Sequence, residues 1–286
     1  MNWARVTMFS LQQFDRIRRL ALSLAGIELV DRHRELLASR CERLGLSSSD
    51  GLDSLLSAAE QGEPTATQKM LCLLTTKFTG FLRHPGHFTA AAEHAVQVAR
   101  QGHGARLWST AAATGQEPYS LAMALLEAFG REDPPVTILA TDIDEDAVGF
   151  AERGEYGDFA LQMLDTERRS RFFDRRTDSG AWTIIPAVRR LVEFRTLNLA
   201  SVAWAVEGPF EVIFCRNVLM YLEASYRYAA LERIASLLVP GGLLILDPTE
   251  HLGEAGHWFA EGRQGLHLRR EPSARLQQSG AALFAL

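Results

Sequence analysis

Two acidic residues, Glu117 and Asp142, stand where an α/β protein would bind a nucleotide-like ligand. Each follows a short apolar segment typical of a buried strand, residues 105–110 and residues 136–140 respectively. Before Glu117, Gly115 supplies a turn with a free φ angle, and an apolar-periodic helix begins directly after that turn. An acidic residue at the end of the second strand, 25 residues beyond Glu117, is placed to accept hydrogen bonds from a ribose diol.

The spacing alone leaves the role of Asp142 open between ligand binding and helix capping. The turn holds one glycine and has no GxGxxG pattern, so the signature of a dinucleotide site is incomplete. An Asp at the end of a strand is also a common helix N-cap, and Asp144 could serve as that cap instead. Ribose binding by Asp142 is therefore one of two interpretations.

A parallel sheet is needed to position these residues, and alternating apolar segments beyond residue 105 predict one. Ligands of such Rossmann-like sheets bind at the carboxyl ends of the strands, which is where Arg216 and Asn217 follow the segment FEVIFC. The predicted helices are residues 117–129, 144–155, 166–173 and 224–238, and the predicted strands are residues 105–110, 136–140, 210–215, 243–247, 266–269 and 281–286.

A change of character between residues 174 and 198 predicts a small antiparallel β insertion in this sheet. A turn at residues 178–180 is followed by short strand candidates at 182–185, 189–191 and 192–196. We place the insertion at about residues 178–197.

Residues 9–75 show helical periodicity throughout, and we assign residues 1–74 to an all-helical domain. Residues 75–104 form a predicted linker helix region, and residues 105–286 form the α/β domain. One N-terminal helix carries Arg32, Arg34, Arg40 and Arg43. These arginines form either a solvated face or a contact surface for acidic helices.

The composition excludes several classes of protein. The chain has 286 residues, 47% of them hydrophobic and 23% charged, as in an ordinary globular protein. No apolar run approaches the roughly 20 residues of a membrane span, and the first residues lack the pattern of a signal peptide. A net charge of −5 argues against general nucleic-acid binding. Three scattered cysteines argue against disulfides or a zinc site, and His84 and His87 have no third ligand nearby, so we expect a cytoplasmic protein without a metal.

Four separated segments resemble one known family. They are TTKFTGFLRHPGHF at 75–88, LWSTAAATGQEPYSLAM at 107–123, ILATDIDEDAV at 138–148 and FEVIFCRNVLMYL at 210–222. Together they are similar to the chemotaxis-receptor glutamate O-methyltransferases, the CheR family. The resemblance covers nearly the whole chain in order, including the helical N-terminal region and the antiparallel insertion.

The resemblance implies a fold, a cofactor and an acceptor. The fold is a Rossmann-like class I methyltransferase sheet with an N-terminal all-helical domain and a small antiparallel β insertion. The cofactor is S-adenosyl-L-methionine, and the acceptor is the side-chain carboxylate of a receptor glutamate. The residues at the family's cofactor contacts are Thr79, Arg83, Glu117, Asp142, Asn198, Leu199, Arg216 and Asn217. Arg83 and Tyr221 fall nearest the reacting methyl group, and we expect their side chains to converge over one cavity.

The chemistry of that reaction explains these residue types. A sulfonium methyl is already activated and a free Glu carboxylate is ionised at pH 7, so no general base is needed. The enzyme must align oxygen, methyl carbon and sulfur, and orientation of that kind can supply roughly 7–11 kcal/mol. Arg83 could hold the acceptor carboxylate through a bidentate pair that Lys could not copy. Tyr221 could pack its ring near the sulfonium or direct its hydroxyl at the forming ester; outside the family it would be read as a core aromatic.

The chain departs from the family pattern at several positions. Lys77 stands where the family usually has Asn, and Ala-Ala-Ala at 111–113 replaces the usual Ala-Cys-Ser. The family usually has a Glu-Glu pair at 116–117. Here Gln116 replaces the first Glu, and the second is retained as Glu117. Asp-Pro-Thr-Glu at 247–250 replaces the usual Gly-x-Ser-Glu. Lys77 could contact the cofactor's carboxylate, crowd the site or repel the cofactor's cationic groups.

These observations support two hypotheses. The first is a cytoplasmic, monomeric protein-glutamate O-methyltransferase that forms γ-methyl esters on the cytoplasmic helical domain of a methyl-accepting chemoreceptor or similar sensor. The second is a catalytically weakened or inactive relative that acts as a cofactor- or partner-binding signalling module, motivated by Lys77 and the altered glycine turn. A third class, methylation of nucleic acid, is disfavoured because the chain lacks a basic stripe and a stacking motif.

Overall fold

The computed structural model describes residues 10–46, 48–175, 180–262 and 264–271. The helices in chain order are α1 (Leu11–Ala25), α2 (Arg34–Arg43), α3 (Ser49–Glu60), α4 (Pro64–Leu74), α5 (Pro85–Arg100), α6 (Gln116–Phe129), α7 (Glu145–Arg153), α8 (Thr166–Phe172), α9 (Pro186–Arg189) and α10 (Ala224–Leu237). The strands are β1 (Ala105–Ser109), β2 (Val136–Asp142), β3 (Glu155–Tyr156), β4 (Phe173–Arg175), β5 (Trp182–Ile184), β6 (Val192–Thr196), β7 (Phe210–Phe214), β8 (Leu238–Ile245), β9 (Phe259–Glu261) and β10 (Leu266–Arg269). Within the described ranges, no helix combines the length and apolar character that crossing a bilayer requires.

Helices α1 to α4 form the predicted helical region around an apolar core of their own. Helix α1 begins at a capping box in which Ser10 and Gln13 each accept the other's backbone N–H. It ends at Gly26, whose φ of +63° belongs to the left-handed region that glycine adopts without strain. The buried side chains of α1, Phe14 and Ile17 among them, pack into the same core as α3 and α4.

Helix α2 buries one of its four arginines and leaves some of its apolar side chains exposed. Leu36 and the C-cap residue Leu44 are 47% and 46% exposed. Arg40 is buried instead, because its guanidinium donates hydrogen bonds to the carbonyls of Leu73 and Leu74 at 2.9 and 2.7 Å. Arg40 therefore satisfies the last carbonyls of α4 rather than joining a solvated or partner-binding face.

Seven strands form one main sheet in the order β6-β2-β1-β7-β8-β10-β9. Strands β6, β2, β1, β7 and β8 pair in parallel, whereas β10 pairs antiparallel with both β8 and β9. The chain reverses its direction of winding between β1 and β7, as in a doubly wound nucleotide-binding sheet. The predicted Rossmann-like sheet is confirmed, and its ligand-binding edge is the one where these parallel strands end.

Helices cover both faces of the sheet because successive side chains of a strand point in opposite directions. In β1, Leu107 packs in the same cluster as residues of α5 and α6, whereas Trp108 packs in the cluster that contains residues of α10. The buried indole N–H of Trp108 donates to the hydroxyl of Thr141 at 3.0 Å. Because helices cover both faces of the sheet, a cleft can form at the edge where the parallel strands have their carboxyl ends.

The antiparallel insertion is present, but its boundaries differ from the predicted ones. Its three strands have the order β3-β5-β4, so it extends from Glu155 to Ile184. The assignment of residues 192–196 to the insertion is wrong, because this segment is β6 and pairs in parallel with β2 at the edge of the main sheet. A short strand pattern identifies a strand but does not identify its partner.

Two other strand predictions fall in this part of the chain or in the tail. The predicted strand at 189–191 is wrong, because Pro186 starts the short helix α9, which includes Arg189. The strand at 266–269 is confirmed as β10. The predicted strand at 281–286 and most of the predicted turn at 178–180 lie outside the described residues.

Residues 75–84 connect α4 to α5 without forming a helix, so Arg83 lies in a turn and not on the predicted linker helix. Pro85 disfavours the α conformation of the residue before it, and His84 has a φ of +62°. Helix α5 begins at Pro85, where the missing N–H has no helical partner to lose. The domain boundaries after residues 74 and 104 remain predictions.

Candidate active site

A cleft with an empty volume of about 1090 Å³, its open mouth included, lies at the carboxyl ends of β1, β2 and β7. The connecting segment 75–83 and Ile27 from the helical region form its other side. The cleft brings together all nine residues that the sequence analysis selected: Thr79, Arg83, Glu117, Asp142, Asn198, Leu199, Arg216, Asn217 and Tyr221.

Glu117, in the first turn of α6, is held by two side chains. Its Oε1 accepts a hydrogen bond from Ser109 Oγ at 2.8 Å, and its Oε2 accepts one from Arg216 Nη1 at 3.0 Å. Burial raises the pKa of Glu117, whereas the charge of Arg216 acts in the opposite direction. The carboxylate is thus fixed at the floor of the cleft with part of its acceptor capacity unused.

The structure separates the two interpretations of the acidic residues after β2. Asp144 is the N-cap of α7, because its Oδ1 accepts the backbone N–H of Ala147 at 3.1 Å. Asp142 instead accepts the backbone N–H groups of Ala113 and Asp144, at 2.7 and 3.0 Å, and lines the cleft. Burial raises the pKa of the Asp142 carboxyl, and these hydrogen bonds oppose that effect. Asp142 is therefore not used as the helix cap and remains the predicted ribose ligand.

Lys77, the departure from the family pattern, is paired with a carboxylate. Its Nζ lies 3.0 Å from Oδ2 of Asp144. Burial opposes the charged form of Lys77, but the hydrogen bond and charge of Asp144 leave the pKa of Lys77 raised. For Asp144 burial acts to raise the pKa, and Lys77 brings it below its usual value. The ion pair offsets the positive charge that Lys77 would otherwise present to a cationic ligand.

The side chain of Asn198 connects the sheet to the helical region. Its Nδ2 donates to the carbonyl of Leu24 near the end of α1 at 2.7 Å, and its Oδ1 accepts the backbone N–H of Ala200 at 2.9 Å. The predicted cofactor contact of Asn198 must therefore use the parts of the residue that these two bonds leave free. Leu199 follows it as a buried apolar residue of the cleft.

Arg216 lies beneath the cleft and joins two of its walls. Its side chain is 1% exposed, and its Nη2 donates to the backbone carbonyl of Arg83 at 2.9 Å while Nη1 holds Glu117. Arg216 thus fixes the connecting segment relative to the start of α6. The sequence analysis placed Arg216 at the site but could not predict that it links Glu117 to Arg83, because the three residues are far apart in the chain.

Two acidic residues after β8 belong to the segment 247–250 that the sequence analysis noted only for its departure from the family pattern. Glu250 is buried and accepts the backbone N–H groups of Asn217 and Val218 at 2.8 and 3.0 Å. It supports the turn at Asn217, whose φ of +57° is uncommon for a residue other than glycine. Asp247 accepts a hydrogen bond from Asn217 Nδ2 at 2.8 Å. Both carboxylates therefore position the residue that follows Arg216.

Arg83 and Tyr221 line the same cleft, as the sequence analysis expected. Their side chains are partly open to solvent, at 37% exposure for Arg83 and 39% for the Tyr221 residue. Tyr221 ends a 3-10 segment, and its carbonyl accepts the backbone N–H of Glu28 from the helical region at 2.9 Å. The core-aromatic interpretation of Tyr221 is therefore wrong, because the residue is exposed at the cleft.

Comparison with known proteins assigns the chain to a family. The model of the CheR methyltransferase, SAM binding domain, matches residues 77–264. Chemotaxis protein methyltransferase 2 of Pseudomonas aeruginosa is 35% identical over 252 residues, which cover 87% of this chain and 90% of that protein. The chemotaxis protein methyltransferases of Salmonella typhimurium and Escherichia coli are each 36% identical, over 86% of this chain and 86% of the relative. The chain belongs to the CheR methyltransferase family.

Membership of the CheR family identifies S-adenosylmethionine as the cofactor, since the matched domain binds it. The matched region begins at Lys77 and includes the nine cleft residues that the sequence analysis selected. Among solved structures, the DhpI–SAH complex is similar to 70% of this chain and covers 78% of its own, with 17% sequence identity and a TM-score of 0.32.

The polar and apolar groups that line this CheR-family cleft fit that cofactor chemically. Asp142 offers carboxylate lone pairs at a strand end, as ribose hydroxyls require, and Glu117 offers a second carboxylate for an ammonium group. Thr110 also lines the cleft, and its hydroxyl is buried without a hydrogen-bond partner in the described structure. Apolar contacts come from Leu199 and Ala113. The lining thus combines polar groups for the sugar and amino-acid parts with an apolar surface for a base.

Proposed function

We propose that the chain is an S-adenosylmethionine-dependent protein-glutamate O-methyltransferase that forms γ-methyl esters on the cytoplasmic helical domain of a chemoreceptor. The curated relatives bear the name chemotaxis protein methyltransferase, which supports a chemoreceptor as substrate. The observation that carries the glutamate specificity is the pair formed by Arg83 and Tyr221 at the open side of the cleft.

Arg83 provides the recognition of an acceptor carboxylate. Among the described residues, its guanidinium donates no hydrogen bond and has one ion-pair partner, Asp247, at 3.9 Å. That distance is too long for a hydrogen bond, so the planar N–H groups of Arg83 remain available for a bidentate contact. The backbone of Arg83 is held by Arg216, which fixes the connecting segment from which this side chain extends.

Within this proposal, the cofactor is held by the floor and sides of the cleft. Asp142 binds the ribose hydroxyls, Glu117 faces the ammonium group, and Leu199 packs against the adenine. When bound, S-adenosylmethionine supplies an activated methyl group on a cationic sulfur. Tyr221 lines the same cleft as Arg83 and limits where an acceptor side chain can enter.

An ionised glutamate needs alignment and partial desolvation, not deprotonation. A free Glu carboxylate has a pKa of about 4.3 and is charged at neutral pH. Arg83 orients that carboxylate, and Tyr221 excludes water from one side of it. Orientation of this kind is worth roughly 7–11 kcal/mol at most, which makes the Arg83 geometry the main contribution of the acceptor side.

The experiment is transfer of a labelled methyl group from S-adenosylmethionine to membranes that contain chemoreceptors. The proposal expects label on receptor glutamates that is released by mild alkali, as from a methyl ester. Wild-type transfer no greater than that of Arg83→Ala would contradict it. A receptor in which the labelled glutamates are replaced by alanine is the matched substrate control.

The binding-module hypothesis was motivated by Lys77, which could repel the cofactor, and by the altered glycine turn. The ion pair of Lys77 with Asp144 weakens the first of these reasons, and Asp142 and Glu117 still line the cleft. Calorimetry with S-adenosylhomocysteine distinguishes the two hypotheses. Undetectable binding at millimolar ligand would favour the module, whereas the proposed enzyme requires saturable binding.

A further inference from the structure

Asp247 places a buried negative charge next to Arg83, at a position where the family pattern usually has glycine. It follows β8 at the carboxyl edge of the sheet, and its side chain is 5% exposed. Oδ1 accepts the N–H and the hydroxyl of Thr249 at 3.1 and 2.7 Å, and Oδ2 accepts Nδ2 of Asn217 at 2.8 Å. Three hydrogen bonds therefore fix the orientation of the carboxylate.

The Asp247 carboxylate is ionised at neutral pH. Burial acts to raise the pKa of Asp247, but the hydrogen bonds from Thr249 and Asn217 and the charge of Arg83 lower it to about 2. Its Oδ2 lies 3.9 Å from Arg83 Nη2 and 3.6 Å from His84 Nε2. The charge thus faces the turn that carries the proposed acceptor clamp.

We propose that Asp247 is a positioning residue whose charge holds the guanidinium of Arg83 at the rim of the cleft. The inference rests on the proposed function, because it assumes that Arg83 takes the acceptor carboxylate. At 3.9 Å the attraction restrains Arg83 without consuming its N–H donors, whereas a hydrogen-bonded pair would compete with the substrate. Glycine at this position could not supply the restraint.

The same charge balances the site electrostatically. Arg83 alone would place a cation beside a cationic methyl donor, and Asp247 compensates for that repulsion. Methyl transfer joins the acceptor oxygen to the methyl carbon, and the electron pair of the broken C–S bond goes to sulfur. In this step the negative charge of the acceptor carboxylate and the positive charge of the sulfonium both disappear. An uncompensated Arg83 would therefore stabilise the ionised acceptor more than the transition state, which slows the reaction.

The test is steady-state methyl transfer by Asp247→Asn with receptor membranes. The proposal expects kcat to fall about 10- to 100-fold, as for misplacement of a reacting group, with the KM for the acceptor unchanged or lower. A kcat within twofold of wild type, or a loss confined to a higher acceptor KM, would overturn it. Transfer by the wild-type protein must be measured alongside, because its absence refutes the proposed function and not the role of Asp247.

Two further variants separate charge from structure. Thr249→Val removes one hydrogen bond to Asp247 but keeps the charge, so kcat is expected to stay within about threefold of wild type. A loss equal to that of Asp247→Asn would assign Asp247 a structural role and overturn the proposal. Asp133→Asn neutralises an exposed carboxylate before β2 and is the matched charge control.

A double-mutant cycle gives the final discrimination. If Asp247 acts through Arg83, adding Asp247→Asn to Arg83→Lys costs less than it does in the wild-type background, because lysine cannot make the bidentate contact that Asp247 preserves. If the fold-loss in rate of the double variant equals the product of the fold-losses of the two single variants, Asp247 does not act through Arg83. Thermal unfolding of each variant confirms that the compared proteins are folded.

Discussion

Arg216 and Glu117 form an ion pair beneath the cleft, with 3.0 Å between Nη1 and Oε2 and side-chain exposures of 1% and 13%. The second nitrogen of the same guanidinium donates to the carbonyl of Arg83. One buried cation therefore determines the relative position of a predicted cofactor contact and the proposed acceptor clamp. This coupling makes the pair important for both stability and activity.

Arg216→Met is expected to lower the free energy of unfolding by about 3–5 kcal/mol at pH 7, because it leaves the Glu117 carboxylate buried without its partner. Urea unfolding measures the loss. The double variant with Glu117→Gln should regain much of it, since no charge is then left unpaired. A single variant within about 1 kcal/mol of wild type would contradict a buried pair of this kind.

Asp142→Ala tests the predicted ribose contact. Loss of charge-assisted hydrogen bonds, each worth about 1.5–3 kcal/mol, should weaken binding of S-adenosylhomocysteine at least tenfold. Isothermal titration calorimetry measures the affinity. Glu145→Ala, which removes an exposed carboxylate from the first turn of α7, is the control and should bind as wild type does. Equal affinities for both variants would remove Asp142 from the cofactor site.

Lys77→Asn restores the usual family residue and removes the cation from Asp144. Because Lys77 is 40% exposed, the cost in stability should be at most about 1 kcal/mol. Uncovering the Asp144 charge should favour the cationic S-adenosylmethionine over neutral S-adenosylhomocysteine by roughly twofold, or about 0.5 kcal/mol. Calorimetry with both ligands measures the ratio. A large loss of affinity for both would show instead that Lys77 contacts the cofactor's carboxylate.

The free energy of unfolding should depend on pH through the ionisation of Asp247. Its pKa is lowered to about 2 in the folded protein from the ordinary 3.8. A lowered carboxyl pKa stabilises the fold above the unfolded pKa, and the contribution is lost as pH falls through the folded value. Wild type should therefore exceed Asp247→Asn by about 2 kcal/mol at pH 6, and this difference should disappear between about pH 4 and pH 2. A difference that does not vary with pH would contradict the assignment.

Local sequence patterns were sufficient to predict the central strands of the sheet and the position of the cleft. The strands β1 and β2 and the helix α6 follow from apolar periodicity around Gly115, and residues at strand ends must meet at one edge of a parallel sheet. The capping role of Asp144 could also be proposed from the sequence, because an N-cap depends only on the adjacent residues of its helix, here α7.

What the sequence could not predict depends on pairs that are distant in the chain. Strand β6 has an ordinary short pattern, and only its pairing with β2 excludes it from the insertion. Lys77 was recognised as unusual, but its neutralisation by Asp144 requires the connecting segment to cross the sheet edge. The contact between Asp247 and Arg83 joins the segment before α5 to the loop after β8, so neither position identifies the other in the sequence.

The central claim is that Arg83 presents an acceptor glutamate to the methyl group. The most direct measurement is mass-spectrometric mapping of receptor methylation by wild type, Arg83→Lys and Arg83→Ala, each first shown by calorimetry to be saturated with cofactor. The account predicts methyl esters on glutamate side chains with wild type, a rate reduced at least tenfold with lysine, and a still lower rate with alanine. Modification at another residue type, or equal rates for the three proteins, would contradict it.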